Sequence, residues 1–84
     1  MGYGNDYSQV DRWIGARLQK DAGSLVLFRD LYADYMEWVL GGGGNYVHSD
    51  RAIGKMLNRA GARRYRKLGV RYVTGFRLAV SVDI

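Results

Sequence analysis

The sequence predicts one small α+β domain, built from three helices and a C-terminal β-hairpin. Its 84 residues fit a single domain. Three segments before Gly61 place apolar residues at helical spacing, and after Gly61 the apolar pattern changes to the two-residue period of a strand. We expect the domain to span 1–84, with its core at about 8–78 and a tail at 79–84 whose order the sequence leaves open.

The first helix is predicted at about 9–20, with Ser8 as its N-cap and Gly23 marking its end. Its apolar face repeats at i, i+3, i+4 and i+8, at Val10, Trp13, Ile14 and Leu18. The segment SLVLF at 24–28 is short, apolar and bounded by a glycine and a charged pair, which predicts a strand.

The second helix is predicted at 29–40, where Asp30 lies near the positive end of the helix dipole. One face of this helix is apolar and aromatic: Leu31, Tyr32, Tyr35, Trp38 and Val39. The four glycines at 41–44 stop the helix and are predicted to be a flexible linker. A phosphate-binding loop is excluded because no Gly-Lys-Ser/Thr follows, and GYG at 2–4 is too short for a dinucleotide fingerprint.

The third helix is predicted at about 50–60, between an N-cap at Ser49 and a glycine stop at Gly61. One face is apolar: Ile53, Met56, Leu57 and Ala60. The opposite face carries three cations and an amide: Arg51, Lys55, Asn58 and Arg59. Gly54 lies mid-helix, where it would let another helix approach closely.

The segment from about 62 to 77 is predicted to be a β-hairpin that turns at Leu68-Gly69. In its second strand the even-numbered residues form the apolar side: Val70, Tyr72, Thr74, Phe76 and Leu78. Tyr72 is expected to hold the base of the hairpin to the core. The first strand, ARRYRK, is strongly basic.

The element order helix, strand, helix, turn, helix, hairpin is that of a winged helix-turn-helix, in which the third helix enters the DNA major groove and the hairpin is the wing. The charge distribution favours the same interpretation. Residues 1–50 hold four bases and seven acids, a balance of −3, whereas residues 51–84 hold nine bases and one acid, a balance of +8. Such an asymmetry is typical of a polyanion-binding surface on a neutral-to-acidic scaffold.

Three motifs also resemble the C-terminal domain of phage and plasmid primase–helicases. They are DLYADYMEW, SDRAIGKMLNRAG and RRYRKLGVRYVTGFRL, within a resemblance that covers about 10–78. The matching positions are Leu31, Tyr32, Tyr35, Trp38, Ser49, Gly54, Leu57, Arg71, Tyr72, Gly75, Phe76, Arg77 and Leu78. The resemblance implies a winged-helix domain that contacts DNA and, in the family, is appended to a helicase motor. No Walker A, magnesium-site or primase motif is present, so ATPase and priming activities are not implied.

The expected function is double-stranded DNA binding that regulates transcription or replication of a phage or other mobile element. Arg51, Lys55, Asn58 and Arg59 are the residue types that read base edges in the major groove. The hairpin cations are expected to contact phosphates: Arg63, Arg64, Arg66, Lys67 and Arg71. Helix-turn-helix proteins often pair on palindromic sites, so a homodimer is compatible with this interpretation, although no sequence pattern indicates one.

No catalytic residues, metal ligands or cofactors are predicted, and we expect no enzyme. The single histidine, His48, is expected either to be exposed just before the third helix or to contact a phosphate. A lone histidine among scattered carboxylates makes neither a triad nor a metal site. Trp13, Trp38, Tyr32, Tyr35 and Phe76 are expected in the core. The chain has no cysteine and no apolar run near the roughly 18 residues of a membrane span, which fits a cytoplasmic protein, in the host cytoplasm if a phage encodes it.

Two other functions are compatible with the same pattern. The hairpin or the exposed helix could dock on an acidic host or replisome protein, since fold does not settle function. Alternatively, Tyr65 and Tyr72 could stack on the bases of RNA or single-stranded DNA. The DNA sequence recognised, and whether the chain is a standalone protein or a domain of a larger one, are not encoded in these patterns.

Overall fold

The computed structural model describes residues 8–79, and within them it confirms an α+β domain with three α-helices and a C-terminal hairpin. A three-stranded antiparallel sheet packs with the helices around one core. In chain order the elements are α1 (Ser8–Arg17), β1 (Leu18–Leu27), α2 (Phe28–Trp38), a π-helical turn (Val39–Gly43), α3 (Asp50–Arg59), β2 (Arg63–Lys67) and β3 (Val70–Leu78). The tail at 80–84 and the glycines at 2–4 lie outside the described residues.

The sheet has the strand order β1-β3-β2, so the second strand of the hairpin is its central strand. The predicted turn is confirmed: Leu68 and Gly69 both have positive φ, 54° and 80°. Two consecutive residues with positive φ are typical of a type I′ turn, whose twist matches that of the strands it joins.

The first predicted boundaries were wrong. α1 ends at Arg17 rather than near 20, and β1 begins at once with Leu18 instead of at 24. Leu18 is buried as expected, but as a strand residue that pairs with Leu78. The helical spacing of Leu18 from Val10 therefore did not distinguish a helix from a strand, because a buried leucine fits either element. Gly23 lies inside β1 and ends no helix.

The apolar side of β3 was also predicted incorrectly. Val73 is fully buried, whereas Val70 is 40% exposed. The core-facing residues change from odd to even numbers around Gly75, which has a φ of 101° and pairs with Asp21, where the register of β1 shifts before Val26. Phe76, beyond the glycine, is buried as expected. Tyr72 therefore lies on the side opposite Val73 and does not hold the hairpin to the core.

The core is aromatic, and it contains the histidine. Trp13 and Tyr35 are fully buried and meet edge to face, with ring centroids 5.2 Å apart. Tyr32 and Trp38 are only partly buried against this cluster. His48 is buried, contrary to expectation, and its Nδ1 lies 2.6 Å from the Tyr35 hydroxyl. The chain between α2 and α3 folds inward at this point, which the sequence did not reveal.

The glycine segment is packed in part and is not simply a linker. It forms most of the π-helical turn that continues α2. A Cβ added at Gly43 would overlap the Trp38 ring, and one added at Gly44 would overlap the Gln9 side chain. These two glycines therefore permit close approach of the backbone to side chains of the helices.

Within residues 8–79, none of the helices has the length and apolar character needed to cross a membrane. The same residues bring together no group of three potential metal-ligating side chains.

Candidate nucleic-acid interface

α3 presents its polar face to solvent, as the helical spacing predicts. Its start is fixed by Ser49, whose hydroxyl accepts a hydrogen bond from the Ala52 amide at 3.2 Å. Its apolar side is anchored in the core by Ile53, Met56 and Leu57. As a result the predicted base-reading residues are all exposed on one helix: Arg51, Lys55, Asn58 and Arg59.

The hairpin divides its cations between two faces. Arg64 pairs with the buried Val73, and Arg66 pairs with Arg71. Paired residues of an antiparallel ladder share a face and successive residues alternate. Arg64, Arg66 and Arg71 therefore lie on the inner face, toward α3, while Arg63 and Lys67 lie on the outer face. The sequence analysis assigned all five to phosphate contact and did not predict this division.

Between α3 and the inner face of the hairpin lies a groove of about 290 Å³. Gly54 forms part of its wall on α3, and a Cβ at this position would meet the Arg64 guanidinium at 3.4 Å, an ordinary contact distance. The close neighbour that a mid-helix glycine indicated is therefore the hairpin, not another helix. Phe28 and Gly54 line the groove on one side. Residues of both hairpin faces border it on the other: Arg64, Arg66 and Arg71 from the inner face, and Tyr65 and Tyr72 from the outer face.

Arg71 is held by the protein itself. Its Nη2 lies 3.5 Å from a carboxylate oxygen of Asp50, the first residue of α3. Its guanidinium also stands 4.8 Å from the centre of the Phe28 ring, a cation–π distance. Arg71 thus connects the hairpin to the starts of α2 and α3. The sequence assigned it to phosphate contact alone, because nothing in the spacing reveals a partner 21 residues away.

The remaining cations of α3 and the hairpin have no carboxylate partner among residues 8–79. These are Arg51, Lys55, Arg59, Arg63, Arg64, Arg66 and Lys67. Elsewhere the protein does pair its arginines: Arg17 binds Asp34 and Arg77 binds Asp21, at 2.6 and 3.1 Å. Within the described residues Arg12 and Lys20 also lack a carboxylate partner, but they stand apart on α1 and β1, whereas seven unpaired cations are concentrated on α3 and the hairpin, which we call the basic surface.

The outer face of the hairpin carries two tyrosines side by side. Tyr65 and Tyr72 are cross-strand partners with ring centroids 6.4 Å apart. Tyr65 is 48% exposed. The Gly75 irregularity explains the pair, since it directs Tyr72 away from the core.

Comparison with protein-family models, curated proteins and solved structures finds no match for this chain.

Proposed function

We propose that this chain is a winged-helix protein that binds double-stranded DNA. The basic surface is the observation that carries the proposal, because α3 and the hairpin concentrate cations that the protein does not neutralise itself. The element order and the strand order β1-β3-β2 support it. In this arrangement α3 lies in the major groove and the hairpin follows the neighbouring backbone.

The two elements take different parts in binding. On α3, Arg51, Lys55 and Arg59 are suited to guanine, and Asn58 is suited to adenine. The hairpin cations bind phosphates, which fix the orientation of the protein and provide most of the affinity. Arg71 also links the hairpin to the starts of α2 and α3 through its half-exposed contacts to Phe28 and Asp50.

The biological setting follows from the resemblance to primase–helicase C-terminal domains. We propose a role in transcription or replication of a phage or other mobile element, in the cytoplasm of the host. The domain would act on duplex DNA without chemistry of its own.

Titration of labelled mixed-sequence duplex DNA at several salt concentrations tests this function. The hairpin variant Arg66→Gln/Lys67→Gln removes two exposed cations. The control variant Arg12→Gln/Lys20→Gln removes the same residue types from α1 and the far edge strand. Removal of one phosphate contact reduces the slope of log affinity against log salt by about 0.9, so the slope of the hairpin variant should fall by roughly 1.8. The control should keep the wild-type slope.

Two outcomes contradict the proposal. One is the absence of duplex binding by the wild-type protein at low salt. The other is an equal loss of affinity in both variants, which would indicate unspecific attraction by net charge. The hairpin cations would then be explained as charges that protect an edge strand from pairing with other chains.

Single-strand binding is a second candidate, favoured by the Tyr65–Tyr72 pair, in which Tyr65 is exposed and Tyr72 partly exposed. Aromatic stacking is worth about 1–3 kcal/mol per base and does not depend on sequence. Competition of the labelled duplex with an unlabelled single strand of equal length separates the two functions. A single strand that displaces the duplex at a lower concentration than unlabelled duplex does would select this candidate.

A further inference from the structure

The tip of the hairpin holds an apolar residue in an unfavourable position. Leu68 is 92% exposed, more than any other large apolar residue among the described ones. Its φ is 54°, in the left-handed region that glycine and asparagine adopt readily and other residues avoid. The structure thus combines exposure of a large apolar side chain with backbone strain at a single residue.

Neither feature improves the folded domain. The left-handed conformation costs a leucine roughly 1–2 kcal/mol. At 92% exposure the side chain recovers almost none of this cost by burial. Asn-Gly would make the same turn more favourably. Strain kept without a structural gain points to a function at the strained residue.

The surroundings of Leu68 select the partner. Lys67 precedes it, and Arg66 and Arg71 form the second cross-strand pair from the turn. Val70, opposite Lys67, is 40% exposed and extends the apolar tip. The apolar tip suits the apolar interior of a stack of bases, and the cations beside it suit the phosphates on either side of that stack. Minor-groove proteins insert leucine and similar residues between base steps in this way.

We propose that Leu68 is a wedge: the hairpin tip enters the minor groove and Leu68 inserts between adjacent base pairs, partly unstacking them and bending the duplex. This inference rests on the proposed duplex binding and specifies its mode. In this mode the cations provide the affinity for the duplex, and Leu68 causes its unstacking and bending. Flexible pyrimidine–purine steps should be the preferred sites, because they unstack and kink most easily.

Leu68→Asn is the decisive variant, because asparagine suits the left-handed turn position and the hairpin should fold at least as well. Its melting temperature checks this. Duplexes with a fluorescent adenine analogue at a TA step report unstacking, and duplexes labelled at both ends report bending by energy transfer. The wild type should increase both signals. Leu68→Asn should bind within about tenfold of wild type through its phosphate contacts, and should increase neither signal.

Wild-type binding without unstacking and bending would overturn the wedge while leaving duplex binding intact. Distortion by Leu68→Asn equal to that of the wild type would also overturn it. If Leu68→Asn folded but lost all duplex affinity, Leu68 would be an anchor and not a wedge. Failure of the wild type to bind duplex at all would overturn the proposed function together with this inference.

Discussion

At the scale of single residues, Asp34 is the most constrained charge in the described chain. It is 8% exposed and accepts a hydrogen bond from the Trp13 indole at 2.9 Å. Arg17 binds both its carboxylate oxygens, at 2.6 and 3.2 Å. Burial alone would raise the pKa of Asp34, but the hydrogen bonds from Arg17 and Trp13 and the guanidinium charge outweigh it and lower that pKa below its ordinary value.

The lowered pKa of Asp34 predicts acid-sensitive stability. The unfolded chain takes up a proton on this carboxylate near pH 3.9, whereas the folded protein takes it up only at lower pH. The stabilisation is therefore complete above this range and is lost as the pH falls toward the folded pKa. Denaturant unfolding between neutral pH and pH 3 should show this loss, and Asp34→Asn should weaken it.

Asp34→Asn should also destabilise the protein at neutral pH, by roughly 1–3 kcal/mol, because the buried Trp13 indole and the partly exposed Arg17 guanidinium lose a charged acceptor. Asp30→Asn is the matched control. Its pair with Arg29 is long, 4.0 Å, and exposed, so its change should stay below about 1 kcal/mol. Equal losses in the two variants would refute a special contribution of the buried contacts.

At the scale of the elements, the glycine segment after α2 permits a paired test. Gly43→Ala should destabilise by roughly 1–3 kcal/mol, because its Cβ would overlap the Trp38 ring. Gly41→Ala meets open space and should change stability by less than about 1 kcal/mol in either direction. Chemical denaturation of both variants measures the difference. A Gly43 variant as stable as the Gly41 variant would show that the segment is the flexible linker the sequence suggested.

Elements with local signals were predictable from the sequence, and elements set by distant contacts were not. α3 was placed within a residue because Ser49 and Gly61 mark both of its ends. The extent of β1 depends on pairing with β3, 45 to 60 residues later, as in Leu27 with Tyr72 and Leu18 with Leu78. Periodicity likewise predicted which α3 side chains are exposed. The Arg71–Asp50 pair depends on tertiary packing, and the face that the hairpin turns toward the core depends on the irregularity at Gly75. Periodicity encodes neither.

At the scale of the whole molecule, the unneutralised charge should reduce the stability of the free protein. Arg66 and Arg71 are direct cross-strand partners, and like charges in this arrangement destabilise a sheet by roughly 0.2–1 kcal/mol. Other cations of the basic surface, such as Arg64 and Lys67, add to the repulsion. Such a surface is costly to the folded state and becomes favourable only when a polyanion binds it.

The Arg66→Gln/Lys67→Gln variant should therefore be more stable than the wild type when no DNA is present, by roughly 0.2–1 kcal/mol at low salt. The gain should shrink near 0.15 M sodium chloride, where the screening length is about 8 Å. Arg12→Gln/Lys20→Gln should show no gain, because these cations belong to the more acidic half of the chain. Urea unfolding at two salt concentrations measures all three proteins. A hairpin variant less stable than the wild type would mean that these cations support the fold, and would remove the electrostatic argument for a polyanion partner.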